Sequence, residues 1–405
     1  MQARPSPCPS PSLSPQRVEL LGDRVSLHPQ YFLTFLAILL STAIILTSPT
    51  QAAEPARAHI GFGPDHPLAQ SGWRAFGERL AKTKGAPKLS LFLNGPPPSA
   101  PTAIESLGRN DYAFGSAALS AFPTMFPFAA LLAELGLAGG EDELAAAAAA
   151  TELLALDCVD CRQSFHRQQV VFLGAYSAAR YVMLSQASAN TVIAFRSLSA
   201  LTPGSAWDRL IQRLGGSAHE EDGTPGDLLA KGAITAAIAT PMELSDPDVW
   251  RHARFALKAP FGAYRGGAAF MGSVAYWQSL TSNERRAVLT ATADGIVGVV
   301  WGYQNMADAA LRSAAARGLQ VDVATPQLDE AIRAAIATDN KLVAETAGER
   351  FAVRDAALFL DRFLLLYDKF SVLLSTARDA PSAAAVLNRE IFDRIPVETY
   401  GLTKG

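Results

Sequence analysis

The chain has 405 residues, of which 35 are Lys or Arg and 38 are Asp or Glu, giving a formal net charge of −3 at pH 7 with 49% hydrophobic residues. No basic stripe interleaved with aromatics occurs in this near-neutral balance, so nucleic acid is excluded as an expected partner. Beyond residue 52 no stretch is long and apolar enough to span a membrane, so a soluble body is expected, of a size that suggests two lobes rather than one core.

The first element is an uncharged apolar run from Tyr31 to Leu46, followed by Pro49 and then Ala52-Ala53. A bilayer span takes about 20 residues, so a run this short with small residues after it reads as an export signal. Residues 1–52 are therefore expected to be a signal peptide with an unusually long n-region, placing the body in the periplasm. An uncleaved anchor is the competing reading, because Thr47 and Ser48 extend the run.

The body opens with a strand from Ala58 to Phe62 and a turn, Gly63-Pro64-Asp65-His66-Pro67, in which Asp65 is placed to cap the next helix. Leu68, Gly72, Phe76 and Leu80 recur at helical spacing, and Leu89, Leu91 and Leu93 alternate as in a strand that ends at Asn94-Gly95. A helix from Thr102 to Leu107 and a strand from Tyr112 to Ser116 continue an alternation typical of a mostly parallel sheet covered by helices. Loops leaving the carboxyl ends of such strands line ligand sites, which marks 61–65 and 116–119 as pocket walls. A second unit follows, with strands at 170–176, 181–184, 198–202 and 233–239 and a helix at 205–214. From Thr281 the chain turns helical, with long helices expected at 284–317, 328–346 and 353–375.

Catalytic patterns are scarce. Gly61-Phe62-Gly63 follows a strand, but His66 stands where a dinucleotide fingerprint needs its third glycine, and Pro64 removes an amide. There is no Walker loop, H-E-x-x-H or G-x-S-x-G. The six histidines show no ligand spacing, and His219-Glu220-Glu221-Asp222 reads as a solvated acidic loop, so neither a metal site nor a cofactor is expected. Cys158 and Cys161 follow the helix-like run 141–156, whose C-terminal dipole disfavours a thiolate. A structural disulfide or inert thiols are expected there, with redox enzyme chemistry the minor alternative.

The segment Gly174-Ala175-Tyr176-Ser177-Ala178-Ala179-Arg180-Tyr181, then Phe195-Arg196-Ser197-Leu198-Ser199-Ala200-Leu201-Thr202-Pro203-Gly204-Ser205, is more specific. It resembles the crossover into the second lobe of the solute receptors of tripartite ATP-independent periplasmic (TRAP) transporters, dicarboxylate-binding type. That family reads roughly G-x-R-x-F/Y, a linker, then D-F-K-G-L-K-I-R-V-P-G-S. Gly61 to Pro67, Leu89 to Gly95, Asn110 to Leu119, Lys231 to Ile234, Tyr276 to Thr281 and Glu390 to Gly401 resemble further family stretches in the same order, covering most of the body.

The resemblance implies an α/β, two-lobed periplasmic solute-binding protein of type II-like architecture. Each lobe would be a mixed sheet flanked by helices, with a hinge between lobes and a helical C-terminal region. Lobe I is expected from 53–175 plus about 266–320, and lobe II from 176–265 plus about 321–405. It implies no enzyme. The expected function is capture of a small organic solute by hinge closure and delivery to a membrane permease, with a sensor or scaffold of the same fold as the alternative. Of two family arginines that face the ligand, the first matches Arg180 and the second matches Leu201, so the carboxylate clamp is broken and recognition of a dicarboxylate should be weakened. Arg196 lies too far along the chain to substitute. Phe62, Tyr112 and Ser116 on the first lobe, Trp207 and Met242 on the second, and Phe270 near the return are further candidate pocket residues.

Overall fold

A computed structural model describes residues 54–92, 100–219 and 223–402. The apolar run at 31–46, the cleavage region at Ala52, the Asn94-Gly95 turn and Glu220 to Asp222 lie outside the described residues. In chain order the first lobe is entered through β1 (Ala56–His59), a π-helical turn (Leu68–Trp73) continuing into α1 (Arg74–Lys82), and β2 (Leu89–Phe92). It continues with α2 (Ala100–Gly108), β3 (Phe114–Ala117), α3 (Pro127–Glu134), α4 (Glu143–Glu152), α5 (Val159–Arg167) and β4 (Val170–Tyr176). The chain then crosses to β5 (Val182–Ser185), β6 (Ser199–Leu201), α6 (Ser205–Arg213), β7 (Ser217–Ala218), β8 (Ala236–Ala239) and β9 (Phe255–Lys258). It returns in β10 (Gly267–Ser273) and runs through α7 (Ser282–Ala316) to β11 (Gln320–Val323). Three helices close it: α8 (Pro326–Phe351), α9 (Ala356–Leu374) and α10 (Ala380–Glu390).

The strands form two sheets, ordered β2-β1-β3-β10-β4 and β11-β9-β5-β8-β6-β7. Both are mixed: β10 runs antiparallel to β3 and β4, and β5 antiparallel to β8 and β9, while the other pairings are parallel. The antiparallel members are the strands that enter or leave through the junction between sheets. An alternation read strand by strand shows parallel units but not the returns. Every residue of β4 is buried, as its unbroken Val-Val-Phe-Leu-Gly-Ala-Tyr run requires when helices cover it on both faces.

The C-terminal helices differ from their expected place in the second lobe. Phe359, Phe363, Phe370, Leu387 and Phe392 are buried in the same core as Val171, Phe172 and Trp277 of the first lobe. Polar ties reinforce this. The buried Glu152 carboxylate accepts from Lys369 Nζ at 2.7 Å and Arg394 Nη1 at 2.8 Å, and Tyr400 Oη donates to the Phe172 carbonyl at 2.7 Å. The tail's apolar residues complete the face that β4 and α4 leave open, which local periodicity cannot reveal. By contrast, Leu328 and Ile332 at the start of α8 pack with Tyr181, Trp207 and Phe261 in the second lobe's core.

The long helix α7 starts from a reciprocal cap in which Thr281 and Glu284 satisfy each other's backbone N–H. Its first half packs against the Leu68–Trp73 turn through glycines. A Cβ at Gly298 would fall 2.7 Å from the Ser71 carbonyl oxygen and 3.1 Å from Ala75 Cβ. Backbone cannot give way there as a flexible side chain would, so Gly298→Ala should overpack the contact and lower stability by about 1–3 kcal/mol, read as a shift in urea midpoint at unchanged m-value.

Candidate functional site

The carboxyl ends of β1 and β3 carry the loops 60–67 and 118–122, which face the junction where the crossover segments 177–181 and 259–266, here termed hinge strands although neither pairs in a sheet, pass between sheets. Phe62 stacks on the His66 ring at 4.1 Å between centroids and 12° between planes, and His66 meets Tyr303 of α7 edge-on at 5.5 Å. Tyr303 lies parallel to Tyr176 at 6.0 Å, and Tyr176 is 5.9 Å from Tyr264. Tyr264 Oη shares a hydrogen bond of 2.9 Å with Ser120 Oγ. Tyr181 packs edge-on against Trp207 at 5.2 Å, and Met242, from the far side of the junction, packs on the first lobe's core. Phe62, His66, Tyr303, Tyr176 and Tyr264 form one chain of ring contacts bearing hydroxyl groups, assembled from the loop after β1, α7, β4 and segment 259–266, with Tyr181 and Trp207 a separate pair.

Its electrostatics are those of neutral donors. Burial pushes the Tyr264 hydroxyl up to about 12, and burial with neighbouring hydroxyls raises Tyr176, Tyr181 and Tyr303 further. All four stay protonated. His66 is neutral for the same reason, since burial lowers its imidazole to about 4. The Leu68 N–H donates to His66 Nδ1 at 3.3 Å, which puts the ring proton on Nε2, where it donates to Tyr303 Oη at 3.1 Å. Tyr176, Tyr181 and Tyr303 are themselves buried, at 3%, 8% and 5% exposure, so the ring faces left partly open at the junction are those of Phe62, His66 and Tyr264.

The residues singled out from sequence are only partly gathered here. Phe62 belongs to the chain of ring contacts, and Met242 packs on the first lobe's core. Arg180 stands beside Tyr181 at the hinge, and its Nη1 pairs with Glu141 Oε2 at 2.8 Å, both side chains being about two-fifths exposed. Together with Lys258, Gln304, Asp308 and Asp329 it lines a cavity of about 300 Å³. Leu201 packs half-buried against Leu228, Leu229, Ile234 and Ala237, leaving an apolar surface at the end of β6. Arg196 is exposed at the opposite end of that strand. Trp207 is a buttress between the sheets: its Nε1 donates to the Phe261 carbonyl at 2.7 Å and its ring abuts Gly136. Its surface is spent on protein contacts.

Three expected pocket residues lie elsewhere. Phe270 is wholly buried between Trp73 and Phe76. Ser116 accepts from Trp73 Nε1 at 2.7 Å and donates to the Ala269 carbonyl at 2.6 Å, so its hydroxyl is used up in the core. Tyr112 packs on His59 and Phe92 at the β1–β2 side of the first sheet, with the Arg57 guanidinium over its ring. Sequence reasoning missed Ser120, Tyr176, Tyr264 and Tyr303 as a group. Their only shared signal is residue type, since they come from four separate segments. Among the described residues no group of three or more side chains is placed to hold a metal ion, and no helix is long and apolar enough to cross a membrane.

A neutral, depressed His66 carries a consequence for stability. Between its ordinary value of 6.5 and its folded value of about 4 the unfolded chain binds a proton that the folded chain refuses, so stability rises with pH across that window. Urea midpoints measured from pH 4.5 to 7 should show this slope, and His66→Asn should flatten it. An identical slope in the variant would place the titrating group elsewhere.

No protein-family model matches the chain, and no curated protein does. Solved structures do. A TRAP periplasmic solute-binding protein from Desulfovibrio salexigens superposes with a TM-score of 0.64 at 14% identity, covering 80% of this chain and 98% of that one. The ectoine-binding protein TeaA of the TeaABC TRAP transporter gives 0.63 at 11% identity, covering 78% and 99%. A TRAP solute-binding protein from Rhodoferax ferrireducens in complex with benzoate gives 0.60 at 16% identity, covering 79% and 99%. Two mixed sheets joined by two crossover segments are thus the fold of the TRAP periplasmic solute-binding proteins.

Proposed function

We propose that this chain is a non-enzymatic, extracytoplasmic receptor that captures a small organic solute by closure of its two lobes and hands it to an ion-driven permease of the TRAP type. The observation that carries the reading is the chain of aromatic, hydroxyl-bearing rings at the junction of two sheets, on a fold whose solved representatives are solute-binding proteins. Closure around a solute is a population shift: the solute stabilises the closed arrangement by the contacts it makes only there, and the permease reads that arrangement.

The residues favour a monocarboxylate with an apolar or aromatic body over a dicarboxylate. Phe62, Met242 and Leu201 offer apolar surface, and the partly exposed Tyr264 carries a hydroxyl beside Ser120. Arg180 is the group we assign to a carboxylate, which then competes with Glu141 for it. Replacement of a second arginine by Leu201 removes a charge-assisted pair of about 1.5–3 kcal/mol, a loss of roughly ten- to a hundredfold in affinity for a diacid. Structures of the same fold hold benzoate in the Rhodoferax protein and mandelate in one from Bordetella bronchiseptica, which supports the class without assigning the compound.

The test is a thermal-shift screen of the body from residue 53 against aromatic and aliphatic monoacids, diacids and amino acids, followed by calorimetry on hits. A monoacid should raise the melting temperature, and Arg180→Ala should abolish or sharply reduce that rise while leaving the ligand-free melting temperature near the wild type. Submicromolar binding of malate or succinate would overturn the assignment of Leu201.

A further inference from the structure

The pair Cys158 and Cys161 is joined by a disulfide on the first lobe. Sequence alone sets these cysteines at the trailing end of a helix, where the dipole works against a thiolate. The fold changes that environment in three ways. First, the preceding helix ends in a wider turn at Leu153–Asp157, and a new nine-residue helix, α5, begins immediately after Cys158. Cys158 is its N-cap, with extended backbone, and its Sγ accepts the Cys161 N–H at 3.1 Å. A sulfur in that position lies at the positive end of a helix and already has a donor for negative charge.

Second, the negative end of the preceding helix is answered. Arg162 Nη1 donates to the carbonyls of Leu156 at 2.8 Å and Ala155 at 3.3 Å, and Arg362 pairs with the Asp157 carboxylate at 2.7 Å. Of the nearby charges this leaves Asp160, in the first turn of α5 and exposed, as the acidic group opposing a thiolate. Third, the two sulfurs are unequally accessible: Cys161 is wholly buried while Cys158 is half-buried. An incoming thiolate therefore meets Cys158 first.

We infer that Cys158 and Cys161 form a thiol–disulfide exchange site, with Cys158 as the sulfur attacked and Cys161 as the resolving sulfur, and with a dithiol, small or carried by a protein, as the partner. The step balances as follows. A donor thiolate attacks Cys158 Sγ and forms a mixed disulfide, while the Cys158–Cys161 bond breaks and Cys161 leaves as a thiolate that takes a proton. The donor's second thiol, on losing its proton, displaces Cys158, which leaves as a thiolate. The donor is oxidised to a disulfide, and the cysteine pair gains two electrons, with one proton on Cys161 and a second taken from solvent when the Cys158 thiolate is protonated. In the reverse direction the same site oxidises to its disulfide at the expense of an incoming disulfide. This site is independent of the solute-binding reading.

The full chain is tested in three forms, each checked for folding by circular dichroism. In Cys161→Ser the Cys158 thiol should be alkylated by iodoacetamide at pH 7 about tenfold or more faster than the Cys161 thiol in Cys158→Ser, as expected for a sulfur that is both accessible and of thiolate character. The wild-type disulfide should be reduced by dithiothreitol without loss of the folded spectrum and re-form in oxidised dithiothreitol. Cys161→Ser, but not Cys158→Ser, should trap a mixed disulfide when offered a thioredoxin-type protein disulfide, whose second sulfur is released as a thiolate. Equal alkylation of the two variants, or reduction of the wild type only at the rate of global unfolding, would overturn the proposal and leave a purely structural bond.

Discussion

The hinge depends on a buried charge. Arg265 and Glu143 are almost completely enclosed, at 1% and 4% exposure, with Arg265 Nη2 at 3.5 Å from Glu143 Oε2. Ser177 also donates to that carboxylate, and Arg265 donates to the carbonyls of Ala138 and Gly140. Ser177 lies on one hinge strand, Arg265 on the other, and Glu143 in the first turn of α4, where the helix N-terminus favours its charge. One carboxylate thus ties both crossovers to the first lobe. Losing either partner would strand a buried charge at a cost of about 3–5 kcal/mol, so the arrangement fixes geometry whatever its net contribution to stability.

What it fixes is the ring cluster at the junction. Tyr176 is the residue before Ser177 and Tyr264 the residue before Arg265, so anchoring the two strands sets two rings of the cluster to within one peptide of a buried ion pair. The third, Tyr303, is set by α7, whose close approach to the Leu68–Trp73 turn also brings His66 within hydrogen-bonding distance of it. Aromatic stacking and hydroxyl bonding are weak per contact, about 0.5–1.5 kcal/mol each, and they discriminate only when the rings are held rigidly. The glycine-lined packing of α7 and the buried carboxylate provide that rigidity from opposite sides of the junction.

Much of this scaffold is legible in the sequence, and the reason is local. β4, α6, α7 and the Thr281 cap announce themselves through an unbroken apolar run, a Pro-Gly-Ser entry, helical periodicity and a T-x-x-E pattern, all read within a few residues. The convergence of Ser120, Tyr176, Tyr264 and Tyr303 is not, since it depends on how four distant segments meet. Phe270 and Ser116 mislead for the complementary reason: strand ends beside a cleft also supply its core, and residue type does not say which face a side chain takes. Cys158 and Cys161 are joined in the disulfide that their spacing allowed, whereas the chain's immediate re-entry into α5 after them could not be read from the helical run before them.

A second ionic cluster bears on how such a molecule can move. Glu134, at the end of α3, is only 14% exposed; burial alone would raise its carboxyl, but hydrogen bonds from Arg350 and Ser205 with the charge of Arg209 hold it below the ordinary carboxylate range. Arg209 is also bound by the buried Asp339 of α8 at 2.6 Å. These groups join the first lobe to α6 and to the helix whose two ends pack in different cores. Gly136, two residues beyond Glu134, accepts the Ala263 N–H of the hinge strand at 3.1 Å, so the cluster lies beside the crossovers. A rotation of one lobe against the other that preserves these bonds must pivot here. The cluster takes in Ser205, whose hydroxyl donates to Glu134 and meets Arg350, so the end of β6 and Leu201, four residues before it, lie next to that pivot, and a side chain there changes its surroundings less on rotation than one at the far end of β1.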